Sequence, residues 1–361
     1  MLSTLSFVVV LSILVIVHEF GHFIVAKRTG VRVEKFSIGF GQELFGITKG
    51  GTRYSVSLIP LGGYVKLAGE TEEEPIKGEK WEYLSRTVGE RARIIFAGPL
   101  LNYILAFFIF SFVFIIGCPK LTSTVGKVVP DYPAETAGLK QGDKILEIDG
   151  REINYWEDVT RIVHSNKKPE IKLLIERNGA AIDLLIKPRP QEVKTLFGSK
   201  KSIGLIGILP TNEIMHVKYG IIKSFYMAGK ELFTLTYVTC RALWATLTGA
   251  IPFKESITGP VGIFYITGQA ARLGFAYLLQ LMGVLSASLA IFNLLPVPVL
   301  DGGHILFLAI EKLRRKPLPH KLQENVTQAG LILLICLIVF VFYNDFVRFG
   351  IVEKFGSFFK K

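Results

Sequence analysis

The sequence predicts a polytopic α-helical membrane protein with one inserted β-rich segment, and three observations carry that expectation. Half of the 361 residues are apolar and only 20% are charged, at mean hydropathy +0.42. The apolar residues gather in runs: residues 94–117, 275–300 and 325–344 contain no Asp, Glu, Lys or Arg, and residues 1–26 contain Glu19 alone. Each run is near or above the ~20 residues that cross a bilayer core, so four transmembrane helices are expected. Between the second and third runs lies a long stretch of alternating residues and turn signals, the mark of a β-rich insertion.

The first run holds the most informative feature, His18-Glu19-Phe20-Gly21-His22. On a helix, residues four apart share a face, so His18 and His22 can offer two imidazoles to one tetrahedral Zn²⁺, with Glu19 beside them as a candidate general base. Two hydrogen-bonded helix histidines beside a snorkelling Glu would give the same letters. The setting favours the metal: an ionisable group within a span costs about 2.5–3.5 kcal/mol on insertion scales and is kept mainly where it is paired, metal-bound or wet. The run lacks a basic leader and a small-residue cleavage site, and it continues to Ala26, so it reads as a retained span.

Twelve Lys and Arg lie between Lys27 and Arg93, and Lys312, Arg314, Arg315, Lys316 and Lys321 follow the third run. The positive-inside rule puts both connections in the cytoplasm and residues 118–274 outside. Much of the formal +12 is then orientation signal and contact with anionic membrane lipids, and the dispersed basic residues form no nucleic-acid patch. Cys118, Cys240 and Cys336 are too few and too scattered for a disulfide framework or a cysteine metal site.

A zinc hydrolase needs a third protein ligand. Residues 293–302, Asn-Leu-Leu-Pro-Val-Pro-Val-Leu-Asp-Gly, supply one: Pro296 and Pro298 break the third span, and Asp301 follows on the side where the two histidines should lie. Asp301 alone could equally cap a helix end. Residues 52–59 and 64–67 read as two strands turning at Pro60-Leu61-Gly62-Gly63, a hairpin whose edge could take up an extended peptide through Val56, Leu58, Ile59, Gly62 and Gly63. In the long external segment, residues 123–129, 144–149, 171–177 and 182–187 read as strands, Asn178-Gly179 as a hairpin turn and 156–164 as a short helix. Residues 215–248 mix aromatic and aliphatic residues with Lys218, Lys223, Lys230 and Arg241, as amphipathic helices on a membrane surface would, although helices packed on the β-rich domain would look alike.

Taken together, HEFGH in the first span and NLLPVPVLDGG in the third resemble the site-2 protease family of intramembrane zinc metalloproteases, and the order of parts resembles its bacterial regulator-of-sigma-E branch. Gly98-Pro99-Leu100-Leu101-Asn102, Ser37-Ile38-Gly39-Phe40-Gly41 and Thr258-Gly259-Pro260-Val261-Gly262 support the likeness over nearly the whole chain. The resemblance implies one zinc per chain held by His18, His22 and Asp301, with Glu19 as the catalytic carboxylate and Asn293 holding substrate or the developing oxyanion. It also implies a membrane-associated β-hairpin loop within 27–93. The Pro133–Asp143 stretch resembles a PDZ-domain turn, and Ile203, Gly204 and Leu205 resemble a peptide-binding strand displaced to the end of the domain, so one circularly permuted PDZ domain is expected at 121–211. Known proteobacterial relatives carry two in tandem.

The expected organisation is a span at 1–26, a cytoplasmic-side loop at 27–93, a span at 94–117, the PDZ domain, amphipathic segments at 212–274, spans at 275–302 and 325–347 with a loop at 303–324, and a tail at 348–361. The expected function is a multi-pass endopeptidase of the bacterial inner membrane with its active site towards the cytoplasm. Its substrates would be single-span proteins such as anti-sigma factors already trimmed by a site-1-type protease, and remnant signal peptides. A non-catalytic adaptor binding peptide ends through the PDZ domain, and a metal transporter using the same ligands, are the alternatives. The second would need polar residues along several spans, and the second and fourth are nearly devoid of them.

Overall fold

The computed structural model describes residues 1–70, 78–166, 168–194, 200–252, 254 and 258–348. The expected tail beyond Arg348 lies outside them. Among the described residues, four helices are long and apolar enough to cross a membrane: α1 (Leu2–Arg28), α2 (Val88–Ile116), α7 (Phe275–Asn293) and α9 (His320–Arg348, uncharged over 325–344). In hydrocarbon every backbone N–H and C=O must bond within its own segment, so uncharged runs of this length have helix as their outlet. The chain divides into two compact units, one built from Met1–Val113, Ile221–Cys240 and the chain from Lys254, the other from Phe114–Gly220 and Arg241–Phe253.

In the first unit the helices meet across small residues. The inward face of α7 repeats Gly283, Ser286, Ala287 and Ala290, and a side chain at Gly283 would strike the Phe110 ring of α2. Such faces let helix backbones approach closely where lipid gives no hydrophobic drive between helices. Between α1 and α2 run β1 (Val33–Lys49) and β2 (Thr52–Leu67), which pair antiparallel. Their two-residue turn is Gly50-Gly51, with φ +57° and +74°, the backbone that glycine tolerates and that closes a tight hairpin. The expected turn at Pro60–Gly63 does reverse the chain, but the strands on its two sides do not pair with each other. Residues 53–56 run in the same direction as 35–38, residues 63–67 run opposite to 33–38, and Ile38 faces both Val56 and Gly63, so the bend wraps β2 around both sides of the first half of β1. The Ser12 hydroxyl of α1 donates to the Pro60 carbonyl, which puts the bend beside the middle of the first span. Phe40, Leu44, Phe45, Ile47, Leu58 and Ile59 of the hairpin are exposed.

Beyond α7 the chain leaves the helix at Asn293, earlier than the expected span end at 302, and resumes as α8 (Asp301–Arg314). Helix α6 (Pro260–Leu273) begins with the Gly-Pro-Val-Gly motif, and its first turn is held by α9: the buried Asp345 carboxylate accepts the N–H groups of Gly259 and Gly262 at 3.2 and 2.9 Å. A carboxylate at a helix N-terminus satisfies orphan donors and complements the dipole. Helix α5 covers Ile221–Leu247. The expected helical stretch from Met215 instead starts as a strand, because residues 214–217 pair with 118–121.

The second unit is β-rich. Its largest sheet has four strands ordered β6-β5-β7-β8, from Arg151–Glu152, Lys144–Ile148, Ile171–Arg177 and Ala180–Ile186. Asn178-Gly179 turns β7 into β8 as its sequence predicts. Ile145, Ile148, Ile171, Leu173, Ile175 and Ile186 are sealed into one core with Val159 and Val163 of α4 (Trp156–Ser165). Shorter pairs join β3 (Cys118–Leu121) to β12 (Ile214–Val217), β4 (Val125–Val128) to β11 (Ile208–Pro210), and β9 (Arg189–Lys194) to β10 (Lys200–Leu205), with a short helix α3 at Pro133–Thr136. Asp143 is buried beneath this sheet and takes a two-pronged ion pair from Arg177 at 2.6 and 2.7 Å, plus the Lys140 N–H at 2.7 Å.

Candidate metal centre

The helical period places His18 and His22 on one face of α1, and the break after α7 returns the chain so that Asp301 opens α8 beside them. The His18 and His22 Nε2 atoms are 3.2 Å apart, and Asp301 oxygens lie 3.1 Å from His18 Nε2 and 3.7 Å from His22 Nε2. One ligand atom from each of the three residues falls within 4.8 Å of the others.

The proton count fits a cation. His22 Nδ1 lies 2.9 Å from the Ile94 carbonyl, which can only accept, so Nδ1 carries a hydrogen and, in the neutral ring, Nε2 is left as a lone pair. The nearest Asp301 oxygen to His18 is buried with no hydrogen bond. Lone pairs crowded together in this way repel unless a positive ion sits among them. Two imidazoles and one carboxylate, leaving one position open, make the donor set of a catalytic zinc site.

Glycines make room for the cluster. A methyl group at Gly98 of α2 would lie 2.3 Å from His22 Nε2 and 2.8 Å from His18 Cε1, and one at Gly21 of α1 would lie 2.3 Å from the Ala97 carbonyl. On the other side, Gly302 and Gly303 press on the carbonyls of Leu294, Leu295 and Val297, which seats the start of α8 against the proline-broken segment. The Gly-Pro-Leu-Leu-Asn and Leu-Asp-Gly-Gly motifs therefore act first as clearances.

A cavity of about 740 Å³ opens on the cluster and is lined by Glu19, Val65, Leu67, Asn293 and residues of α8 and α9. The Val65 backbone N–H is directed at the Glu19 carboxylate. Asn293 Nδ2 is 3.4 Å from His18 Nε2, close enough to donate to a group bound there. Towards its other end the cavity is lined by Glu70, Tyr83, Arg91, His304 and Glu311, with Arg91 bonded to Glu311 between α2 and α8. Burial pushes the Glu70 carboxyl up from its ordinary value although the Leu67 N–H donates to it at 3.2 Å, and burial likewise raises the Tyr83 phenol.

Of the residues expected to bind substrate, Gly63 stands at the site: a Cβ added there would lie 3.8 Å from Glu19 Cγ. Val56 is paired on both sides, to Ile38 and to Phe45, while Leu58 and Ile59 are exposed and Gly62 packs on the Phe40 ring. The segment that borders Glu19 is 63–67, paired with β1 on one side and with no strand on the other among the described residues. Val65 and Leu67 escaped sequence reading because nothing local distinguishes them from any strand residue. In the other unit, Ile203, Gly204 and Leu205 lie on β10, and Gly204 rests against the Val163 carbonyl of α4.

A trio of residues able to hold a metal beside a glutamate, sunk among apolar helices, fits the donor set of a membrane-bound zinc metalloprotease. The chain belongs to peptidase family M50, whose family model matches residues 6–337. It is 32% identical to the regulator of sigma-E protease RseP of Escherichia coli, over 95% of this chain and 98% of that one. Proteins of Agrobacterium fabrum and Rickettsia conorii that bear provisional zinc-metalloprotease names are 37% and 38% identical, each covering at least 94% of both chains. A solved PDZ domain from an SdrC-like protein of Listeria innocua, 29% identical, matches 26% of this chain and 96% of its own, at a TM-score of 0.20. The protein is thus a membrane protein and a metalloprotease whose cofactor is zinc.

Proposed function

We propose that this chain is an intramembrane endopeptidase that cuts single-span membrane proteins at a zinc centre held by His18, His22 and Asp301. The observation that carries this reading is the meeting, at one cavity, of the three ligands, Glu19 and the one-sided strand 63–67. When bound, zinc supplies Lewis acidity and brings the pKa of water towards ~7. Glu19 takes the proton of the attacking water and returns it to the leaving amine. The Asn293 amide donates to the carbonyl oxygen as it gains charge, a contact worth about 3–4 kcal/mol in other enzymes.

A transmembrane helix hides its carbonyls in internal hydrogen bonds, so it must be unwound before it is cut. The free side of 63–67 can hold the unwound segment by strand addition next to Glu19. Exposed apolar residues on the hairpin and its contact with the middle of α1 support a re-entrant loop in the membrane. Lys and Arg in the connections support an active site towards the cytoplasm and a β-rich unit outside, in a bacterial inner membrane.

The same reading gives the β-rich unit the role of one circularly permuted PDZ domain that admits substrates already trimmed by a site-1-type protease, among them anti-sigma factors and remnant signal peptides. The match to the E. coli relative runs over 447 positions against 361 residues here, so at least 86 positions of it have no counterpart, which is consistent with one domain in place of two.

The test is cleavage of a reporter with one transmembrane helix by the purified chain in detergent, wild type against Glu19→Gln, with bound zinc measured in both. The variant should keep zinc and lose at least about a hundredfold in rate. A zinc-free wild type that cuts no single-span reporter would overturn the reading.

A further inference from the structure

The Gly98–Asn102 motif contributes more than clearance. Asn102 is fully buried in α2, yet neither end of its side-chain amide has a hydrogen-bond partner. Its backbone carbonyl accepts from Ser286 at 2.7 Å, which ties it to α7 but leaves the amide unused. An orphaned buried amide is costly and calls for an explanation.

A second orphan belongs to the metal centre. His18 Nδ1 is buried and unpartnered. If Nε2 faces the metal, Nδ1 must carry the proton, and zinc-bound imidazoles almost always donate that hydrogen to a carbonyl, a carboxylate or a water. For His22 the acceptor is the Ile94 carbonyl. For His18 none is made.

The spacing on α2 puts Asn102 on the helix stripe that faces the two histidines. Ile94, Gly98 and Asn102 are four apart and form one stripe. Ile94 bonds His22, and Gly98 touches both rings. Asn102 follows one turn on, and helix side chains lean back towards the N-terminus, here towards Gly98 and the His18 ring upon it.

We infer that Asn102 is a positioning residue for the metal centre: its side-chain oxygen accepts the His18 Nδ1 hydrogen, directly or across one buried water, and so fixes the tautomer and orientation of that ligand. This rests on His18 being a zinc ligand, as proposed above. It gives His18 the counterpart of what Ile94 does for His22, with a side chain where the other uses backbone.

The test is zinc affinity of the full chain in detergent, measured by competition with a chelator, alongside thermal unfolding of the zinc-free protein. Asn102→Leu keeps the volume and removes the acceptor. It should weaken zinc binding about 10- to 100-fold while the zinc-free form melts no lower than wild type, since an unsatisfied buried amide has gone. Asn102→Asp restores an acceptor and should bind zinc within a few-fold of wild type.

Equal affinity in wild type and Asn102→Leu overturns the inference, as does a loss of affinity matched by an equal loss of zinc-free stability, which would mark a packing role. Should Asn102→Leu fail to accumulate, weakened zinc binding by Asn102→Asp overturns it instead. Failure of the parent reading looks different: wild type itself, or wild type and His18→Ala alike, would show no specific zinc binding.

Discussion

Two buried polar clusters of this chain, one in each unit, are treated in opposite ways. In the β-rich unit Asp143 is sealed under the sheet, and both of its oxygens are satisfied by Arg177 and the Lys140 N–H. In the helical unit, buried atoms of His18, Asn102 and Asp301 have no hydrogen-bond partner, although they lie among uncharged spans where that is costly. The Asp143 cluster closes a fold, while the other cluster leaves its polar atoms open, as the proposed cation and substrate require. Stability and function are therefore expected to respond to different substitutions.

The largest effect should follow a change of Gly98 to Val. A side chain there would push His22 off its position, and displacement of a ligand by about 1 Å is enough for roughly a hundredfold loss of activity. Zinc content and reporter cleavage should both fall while hydrogen exchange across residues 171–186 stays as in wild type. Undiminished zinc would break the idea that clearance shapes this site.

Next comes Leu173→Ala in the core of the other unit, expected to cost about 2–5 kcal/mol and to accelerate exchange across that sheet with bound zinc unchanged. A smaller loss, about 1.5–3 kcal/mol, is expected for Asp143→Asn. Its pH dependence sharpens the contrast. Burial works to raise the Asp143 carboxyl, but Arg177 and the Lys140 N–H outweigh it and hold it below the usual carboxylate range. The contribution of the ionised form is therefore complete above the unfolded value near ~3.9 and is lost as pH falls through the lower, folded value. Wild type should lose sheet protection in that acid window, and the variant should show a flatter profile.

The smallest effect should be that of Arg53→Gln, which removes the exposed pair to Glu43 on the hairpin. Exposed ion pairs are screened and entropically expensive, so neither melting nor zinc binding should change measurably.

Much of this was legible in the residues. Uncharged runs mark the four spans because lipid leaves the backbone no alternative, and His18, Glu19, His22 and Asp301 announce themselves by chemistry that apolar surroundings otherwise exclude. The hairpin was read with the wrong partners. Pro60-Leu61-Gly62-Gly63 does turn the chain back, but the strands before and after it flank β1 instead of pairing with each other, and the tight hairpin turn falls at Gly50-Gly51, a glycine pair the same rules could have flagged. Val65 and the Arg91–Glu311 pair were invisible for another reason: their roles come from neighbours far away in sequence, 220 positions in the case of the ion pair. The motif glycines were noticed, but what each one clears became clear only with the opposing atoms in place.

The bond from Asp345 to the first turn of α6 bears on how the chain is made. The carboxylate and the amides it accepts are up to 86 positions apart, so α6 leaves the ribosome and enters its surroundings with two N–H groups still waiting. They are satisfied only when the last span arrives. A chain cut short before Asp345 would carry every proposed zinc ligand and still present an uncapped helix end, a defect that membrane quality-control proteases could act on before any substrate does.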